Sequence, residues 1–134
     1  MTSKQPVVAL VDDDRIFRLT AIKTIATTAL TERVLQFENG EDALAFLKEN
    51  ASNNTELPDY IFLDINMPYV DGWMFLDDYR MLKSEFGKKI TIYMISSSID
   101  PRDVARAKEN TDVCDYITKP VSKEKFTELL KVVA

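Results

Sequence analysis

Five short apolar runs, each followed by a stretch with helical periodicity, constrain this chain more than any other feature. Val7-Val8-Ala9-Leu10-Val11 reads as a strand buried on both faces. A helix is expected over 15–30, with Leu19, Ile22, Ala26, Ala29 and Leu30 on its inner face. Residues 33–37 form the second run, and a helix over 41–51 follows it, carrying Ala43, Leu44, Leu47 and Ala51. After a polar loop at 52–58 comes a third strand over 60–65. Asp71-Gly72 then opens a helix to about 86, with Phe75, Leu76, Tyr79 and Leu82 at helical spacing. The fourth strand is 90–95. Asp100-Pro101 combines an N-cap with proline at the first helical position, opening a mostly polar, weakly buried helix to about 110. The fifth strand is 114–118, and Ser122 caps a last helix whose face is Phe126, Leu129, Leu130 and Val133.

Strands that are apolar without alternation, separated by helices, indicate a parallel sheet covered on both faces. Five such units predict an α/β flavodoxin-like (βα)5 fold, a doubly wound five-stranded sheet of order 2-1-3-4-5. An eight-fold barrel needs a far longer chain. The 134 residues suit one domain with its core over about 7–132.

Composition removes several chemistries. The chain has no histidine, which excludes His-based acid–base catalysis, Ser-His-Asp triads, His metal sites and a phosphohistidine role of its own. A net charge of −5 and the lack of a basic stripe argue against direct nucleic-acid binding. Cys114 is the one cysteine, so no internal disulfide forms, and a reducing, cytoplasmic setting is expected. Cys114 itself is expected to be a small buried residue. Residues 1–6 lack an apolar leader segment, and no apolar run is long enough to cross a bilayer.

In doubly wound sheets ligands bind beyond the carboxyl ends of the strands, at the switch point between strands 1 and 3. The first strand runs into Asp12-Asp13-Asp14 and the third into Asp64-Ile65-Asn66-Met67-Pro68. The fourth runs into Ser96-Ser97-Ser98 and the fifth into Lys119-Pro120. The second ends in Glu38-Asn39-Gly40, which reads as a plain loop. One rim therefore carries carboxylates, a hydroxyl and an ammonium. Carboxylates brought together repel, and a hard divalent cation relieves the repulsion. One of them can then act as a nucleophile on phosphorus. Asp14 fits a helix cap better than a ligand.

These runs, Leu10-Val11-Asp12-Asp13-Asp14, Leu63-Asp64-Ile65-Asn66-Met67-Pro68-Tyr69-Val70-Asp71-Gly72, Ser96 and Lys119-Pro120, resemble those of bacterial response-regulator receiver domains over about 7–132. The resemblance implies that Asp64 is the phosphoacceptor. It implies Mg²⁺ (or Mn²⁺) held by Asp13 directly, by Asp12 through water, by Asp64 and by the Asn66 carbonyl. Ser96 and Lys119 would contact the phosphoryl group, and the Lys119-Pro120 peptide would be cis. Tyr116 would move with Ser96 as a switch on phosphorylation, reshaping the face of helix 4, strand 5 and helix 5. The donor would be a sensor histidine kinase or a histidine phosphotransfer protein, and the output contact with a downstream protein.

The chain is read as a stand-alone signalling module rather than a turnover enzyme, a monomer or a transient dimer. Three alternatives stand beside it. A pseudo-receiver would bind partners without being phosphorylated. A phosphohydrolase of the haloacid dehalogenase type would use Asp12-x-Asp14, yet Ile16 stands where that family has threonine or valine. A flavodoxin would need a Ser/Thr/Gly phosphate loop where this chain has acids.

Overall fold

A computed structural model describes residues 5–131. Its elements alternate throughout: β1 (Val7–Val11), α1 (Arg15–Thr28), β2 (Arg33–Phe37), α2 (Gly40–Glu49), β3 (Tyr60–Asp64), α3 (Gly72–Leu82), a 3-10 turn (Lys83–Glu85), β4 (Thr91–Ser96), α4 (Pro101–Glu109), β5 (Val113–Thr118) and α5 (Lys123–Lys131). Every strand pair is parallel, in the order β2-β1-β3-β4-β5. This is the expected flavodoxin-like sheet. Val133, expected on the last helix face, lies outside the described residues, as do residue 132 at the expected core limit and residues 1–4 at the start.

The apolar runs of the central strands β1, β3 and β4 are buried on both faces, whereas the edge strands β2 and β5 are partly exposed. β1 is buried at every position. Ala9 and Val11 turn toward a layer with Leu44, Leu63 and Phe75, beneath α2 and α3. Val8 and Leu10 turn toward the opposite layer with Ile25, Phe62 and Phe126, beneath α1 and α5. The period of two in a strand sends successive side chains to opposite layers. The helix starts follow from caps. Asp14 Oδ1 accepts from the Ile16 and Phe17 N–H groups, Asn39 from Asp42, Asp71 from Met74, Asp100 from Arg102 and Ser122 from Lys125. As expected, α4 is poorly buried, with Ala107 its one fully buried residue.

Two expectations are corrected. The inner face of α1 is Ala21 and Ile25, with Phe17, Ile22 and Leu30 partly packed; Ala26 and Ala29 are exposed and Leu19 is 46% exposed. Apolar residues lie almost all round this helix, so periodicity allows two faces. The sheet selects the one with Phe17, Ala21 and Ile25 in a row four residues apart. The helix stops at Thr28, because Ala29 takes a left-handed backbone (φ 56°) as its C-cap. Cys114 is exposed rather than buried. It lies on the sheet's edge strand at a bulge: Ile92 pairs with Val113 and Tyr93 with Asp115, leaving Cys114 the extra residue.

Candidate active site

Parallel register brings the polar strand ends together. Val11 pairs with Leu63, so Asp12 and Asp64 leave neighbouring strands side by side. Main-chain bonds extend the ladder past the strand ends and hold these residues. The Asp12 N–H donates to Phe37 O (3.0 Å), the Ile65 N–H to Ile95 O (3.3 Å) and the Lys119 N–H to Ser96 O (2.8 Å). The Lys119-Pro120 peptide is cis.

One carboxylate oxygen from each of Asp12, Asp13 and Asp64 lies within 4.8 Å of the other two. Asp12 is fully buried and Asp64 is 4% exposed, while Asp13 faces solvent. Asp12 Oδ1 accepts from the Asp14 N–H at 2.9 Å. Asp12 Oδ2 lies 2.7 Å from Lys119 Nζ, an ion pair rather than an aligned hydrogen bond. The same ammonium is 3.6 Å from Asp64 Oδ1 and 4.5 Å from the centre of the Phe17 ring. Burial first, and then the Asp12 charge, push the Asp64 carboxyl up from 3.8 to about 7, against the opposing pull of Lys119.

Three carboxylates facing one ammonium leave an excess of negative charge. Hard oxygen donors at this spacing, partly open to solvent through Asp13, fit Mg²⁺ or Mn²⁺. Asp14 stays out of the group, its carboxylate committed to capping α1. That removes the second acid a dehalogenase-type reading would need. The Asn66 N–H donates to Asp64 Oδ1 at 3.4 Å, and its side chain is exposed.

Ser96 is fully buried at the end of β4, and its Oγ accepts from the Ser98 N–H at 3.0 Å. The half-buried Tyr116 donates its hydroxyl to Ser98 O at 2.6 Å. One residue, Ser98, therefore links the hydroxyl of β4 to the aromatic ring of β5. Trp73 packs into the core at the start of α3, and the Arg106 guanidinium of α4 lies 4.3 Å over its ring.

Sequence reasoning passed over several features. A Cβ on Gly72 would sit 2.7 Å from Asp64 O, so the Asp71-Gly72 pair also lets α3 approach the Asp64 backbone. The loop after β2 is more than a connection. Glu38, Asn39 and Glu41 line a cleft of about 280 Å³ with Asp13, Pro68 and Tyr69. Phe17 and Arg18, ordinary helix residues in sequence, touch the centre through Lys119 and through Asp12 O. No local sequence signal marks them, since Lys119 is distant in the chain from Phe17 and the Arg18–Asp12 contact spans a strand end and a helix rather than one helical turn.

Residues 8–131 match the family model of the response regulator receiver domain. The sensor histidine kinase CheAY of Helicobacter pylori is 31% identical over 125 residues, which is 93% of this chain and 14% of that protein. The probable methanogenesis regulatory protein FilR2 of Methanothrix harundinacea is 27% identical over 118 residues, 88% of this chain and 74% of that protein. This chain thus spans only a small part of the first relative and most of the second. Among solved structures, a two-component response regulator from Cytophaga hutchinsonii superposes with a TM-score of 0.86 at 30% identity, covering 96% of each chain.

Proposed function

The chain belongs to the response regulator receiver domain family of two-component signalling, and on that premise we propose that it accepts a phosphoryl group on Asp64. The observation that carries this is the meeting of the Asp12, Asp13 and Asp64 carboxylates at the switch point of the sheet, with Lys119 against Asp12 and Asp64. Asp12, Asp13, Asp64 and the Asn66 main-chain carbonyl would hold Mg²⁺ or Mn²⁺. The cation would supply charge neutralisation for phosphoryl transfer.

The residues of the chain do the rest. A lone pair of an Asp64 Oδ forms the new O–P bond while the P–N bond of the donor's phosphohistidine breaks. The electron pair of that bond leaves on the imidazole nitrogen. Lys119 exchanges its contacts with Asp12 and Asp64 for phosphoryl oxygens. Ser96 turns its hydroxyl from the Ser98 N–H to the phosphoryl group. Loss of that bond loosens Ser98 and with it the Tyr116 hydroxyl, so a charge added at Asp64 is read at β5 and α4. The donor is a sensor histidine kinase or a histidine phosphotransfer protein, and the output is contact with a downstream protein. The module signals by switching and has no substrate of its own to turn over.

The test is intact mass after incubation with a small phosphodonor, with and without Mg²⁺, beside Asp64→Asn. The expected result is a gain of one phosphoryl group that needs the metal and is absent from Asp64→Asn. A gain that survives the substitution sinks the site assignment. No gain under either condition favours the pseudo-receiver reading.

A further inference from the structure

The two acids after β1 depend on how their shared backbone is held, and that backbone is held from α1. The Arg18 guanidinium donates through Nη1 to the main-chain carbonyl of Asp12. Its Nε donates to Gln36 Oε1 of β2 at 3.3 Å. That carbonyl belongs to the peptide joining Asp12 to Asp13, so one side chain restrains the link between a fully buried and an exposed carboxylate. Other bonds restrain Asp12 itself: its N–H bonds Phe37 O, its Oδ1 takes the Asp14 N–H, and its Oδ2 pairs with Lys119. The Asp12 Oδ1 bond to the Asp14 N–H spans the peptide that leads to Asp13, and Arg18 adds a hold on the carbonyl of that peptide from outside the turn. Asp13 is exposed and its carboxylate makes no bond to another described residue, so its backbone sets where its rotamers can reach.

We infer that Arg18 is a positioning residue for the divalent cation, aligning the Asp12–Asp13 peptide so that the Asp13 carboxylate meets those of Asp12 and Asp64. The guanidinium suits this task. It is planar and always charged, and it can bond two acceptors at once, here a main-chain carbonyl and the Gln36 amide oxygen. Two opposing effects follow from its place. Its charge repels a cation, whereas its hydrogen bond fixes the ligand backbone. Alignment outweighs repulsion here, because the guanidinium is held on a carbonyl and on Gln36, while the negative excess of the centre remains uncompensated. Groups that orient metal ligands typically change metal affinity about 10- to 100-fold when removed.

This inference rests on the metal reading above, and calorimetric titration of Mg²⁺ into the metal-free protein separates the two. Parent, Arg18→Met, Arg18→Lys, Gln36→Ala and Asp13→Asn are compared, each with its metal-free thermal midpoint. Arg18→Met is expected to weaken Mg²⁺ binding about tenfold with a midpoint close to the parent's. Arg18→Lys should recover part of the loss, and Gln36→Ala should show a smaller loss in the same direction. Binding by Arg18→Met as tight as the parent's, or tighter as charge repulsion alone would give, overturns the inference while leaving the metal site intact. So does a loss that merely follows a fall in midpoint and that lysine does not relieve. If the parent binds no better than Asp13→Asn, the metal reading fails, and the role of Arg18 fails with it.

Discussion

Asp64 is buried, and the proposed attack on phosphorus needs it ionised, so the two conditions conflict at the scale of one residue. Its carboxyl is pushed up to about 7, by burial first and then by Asp12. The unfolded chain releases this proton near the usual value of 3.8, and the folded metal-free chain keeps it to about 7. A raised carboxyl pKa therefore penalises the folded state increasingly between those limits. The penalty is absent below the lower limit and full above the upper. Asp64→Asn, which carries no charge, should gain stability relative to the parent across that window, and urea midpoints measured in a pH series without metal would register it. A constant difference across the series would refute the assignment. A cation must also displace the proton, so the apparent Mg²⁺ affinity should fall roughly tenfold per pH unit as pH drops below about 7. Lys119 fits the same logic, because it already neutralises Asp12 and leaves Asp64 only a longer contact.

At the scale of elements, α4 and the loop before it are the least secured part of the sheet's surface. α4 buries only Ala107 fully, and it is tied back through Arg106 on Trp73. The loop is tied by the Tyr116 hydroxyl on Ser98 O and by the Ser98 N–H on Ser96 Oγ. Few buried apolar contacts and a few polar ties describe a segment that opens locally. Tyr116→Phe deletes one tie and leaves the ring packed. A hydrogen bond of this kind contributes about 0.5–1.5 kcal/mol, which converts to roughly two- to twelve-fold faster amide exchange over 97–104. Exchange mass spectrometry that shows no change there, or an equal change in β1, would show that the tie does not hold this loop.

The whole molecule divides its labour between two apolar layers and one polar rim. The layer under α1 and α5 closes with Phe126 edge-on to Phe62, ring centres 5.3 Å apart. Phe126 is 1% exposed, and truncation to alanine would leave a cavity next to the strand that carries Asp64. Phe126→Ala should lower stability by about 3–5 kcal/mol, read as a lower urea midpoint at nearly unchanged slope. A loss below about 1 kcal/mol would mean that this layer repacks easily. The rim answers to different forces, since its residues are held by main-chain bonds at the strand ends and by charge. Among the described residues no helix is long and apolar enough to cross a membrane.

Five apolar runs and the polar residues that follow them were enough to determine the parallel sheet, its order and most of its rim. A buried strand needs apolar residues on both faces, so the first polar residues after an apolar run mark the carboxyl end of the strand, where ligands bind in such sheets. Asp12, Asp13, Asp64, Ser96 and Lys119 were legible for that reason, and the caps at Asp14, Asp100 and Ser122 were legible because capping is local. Tertiary structure decided what depends on partners far apart in the chain. It chose the Ala21–Ile25 face of α1 over the Leu19 face, because the sheet and not the periodicity says which side is covered. It exposed Cys114 through a bulge that only strand pairing defines. It placed Phe17 against Lys119 and Arg18 on Gln36 of β2 as well as on the Asp12 carbonyl. Local order is written in neighbouring residues, whereas such contacts exist only once the chain has closed on itself.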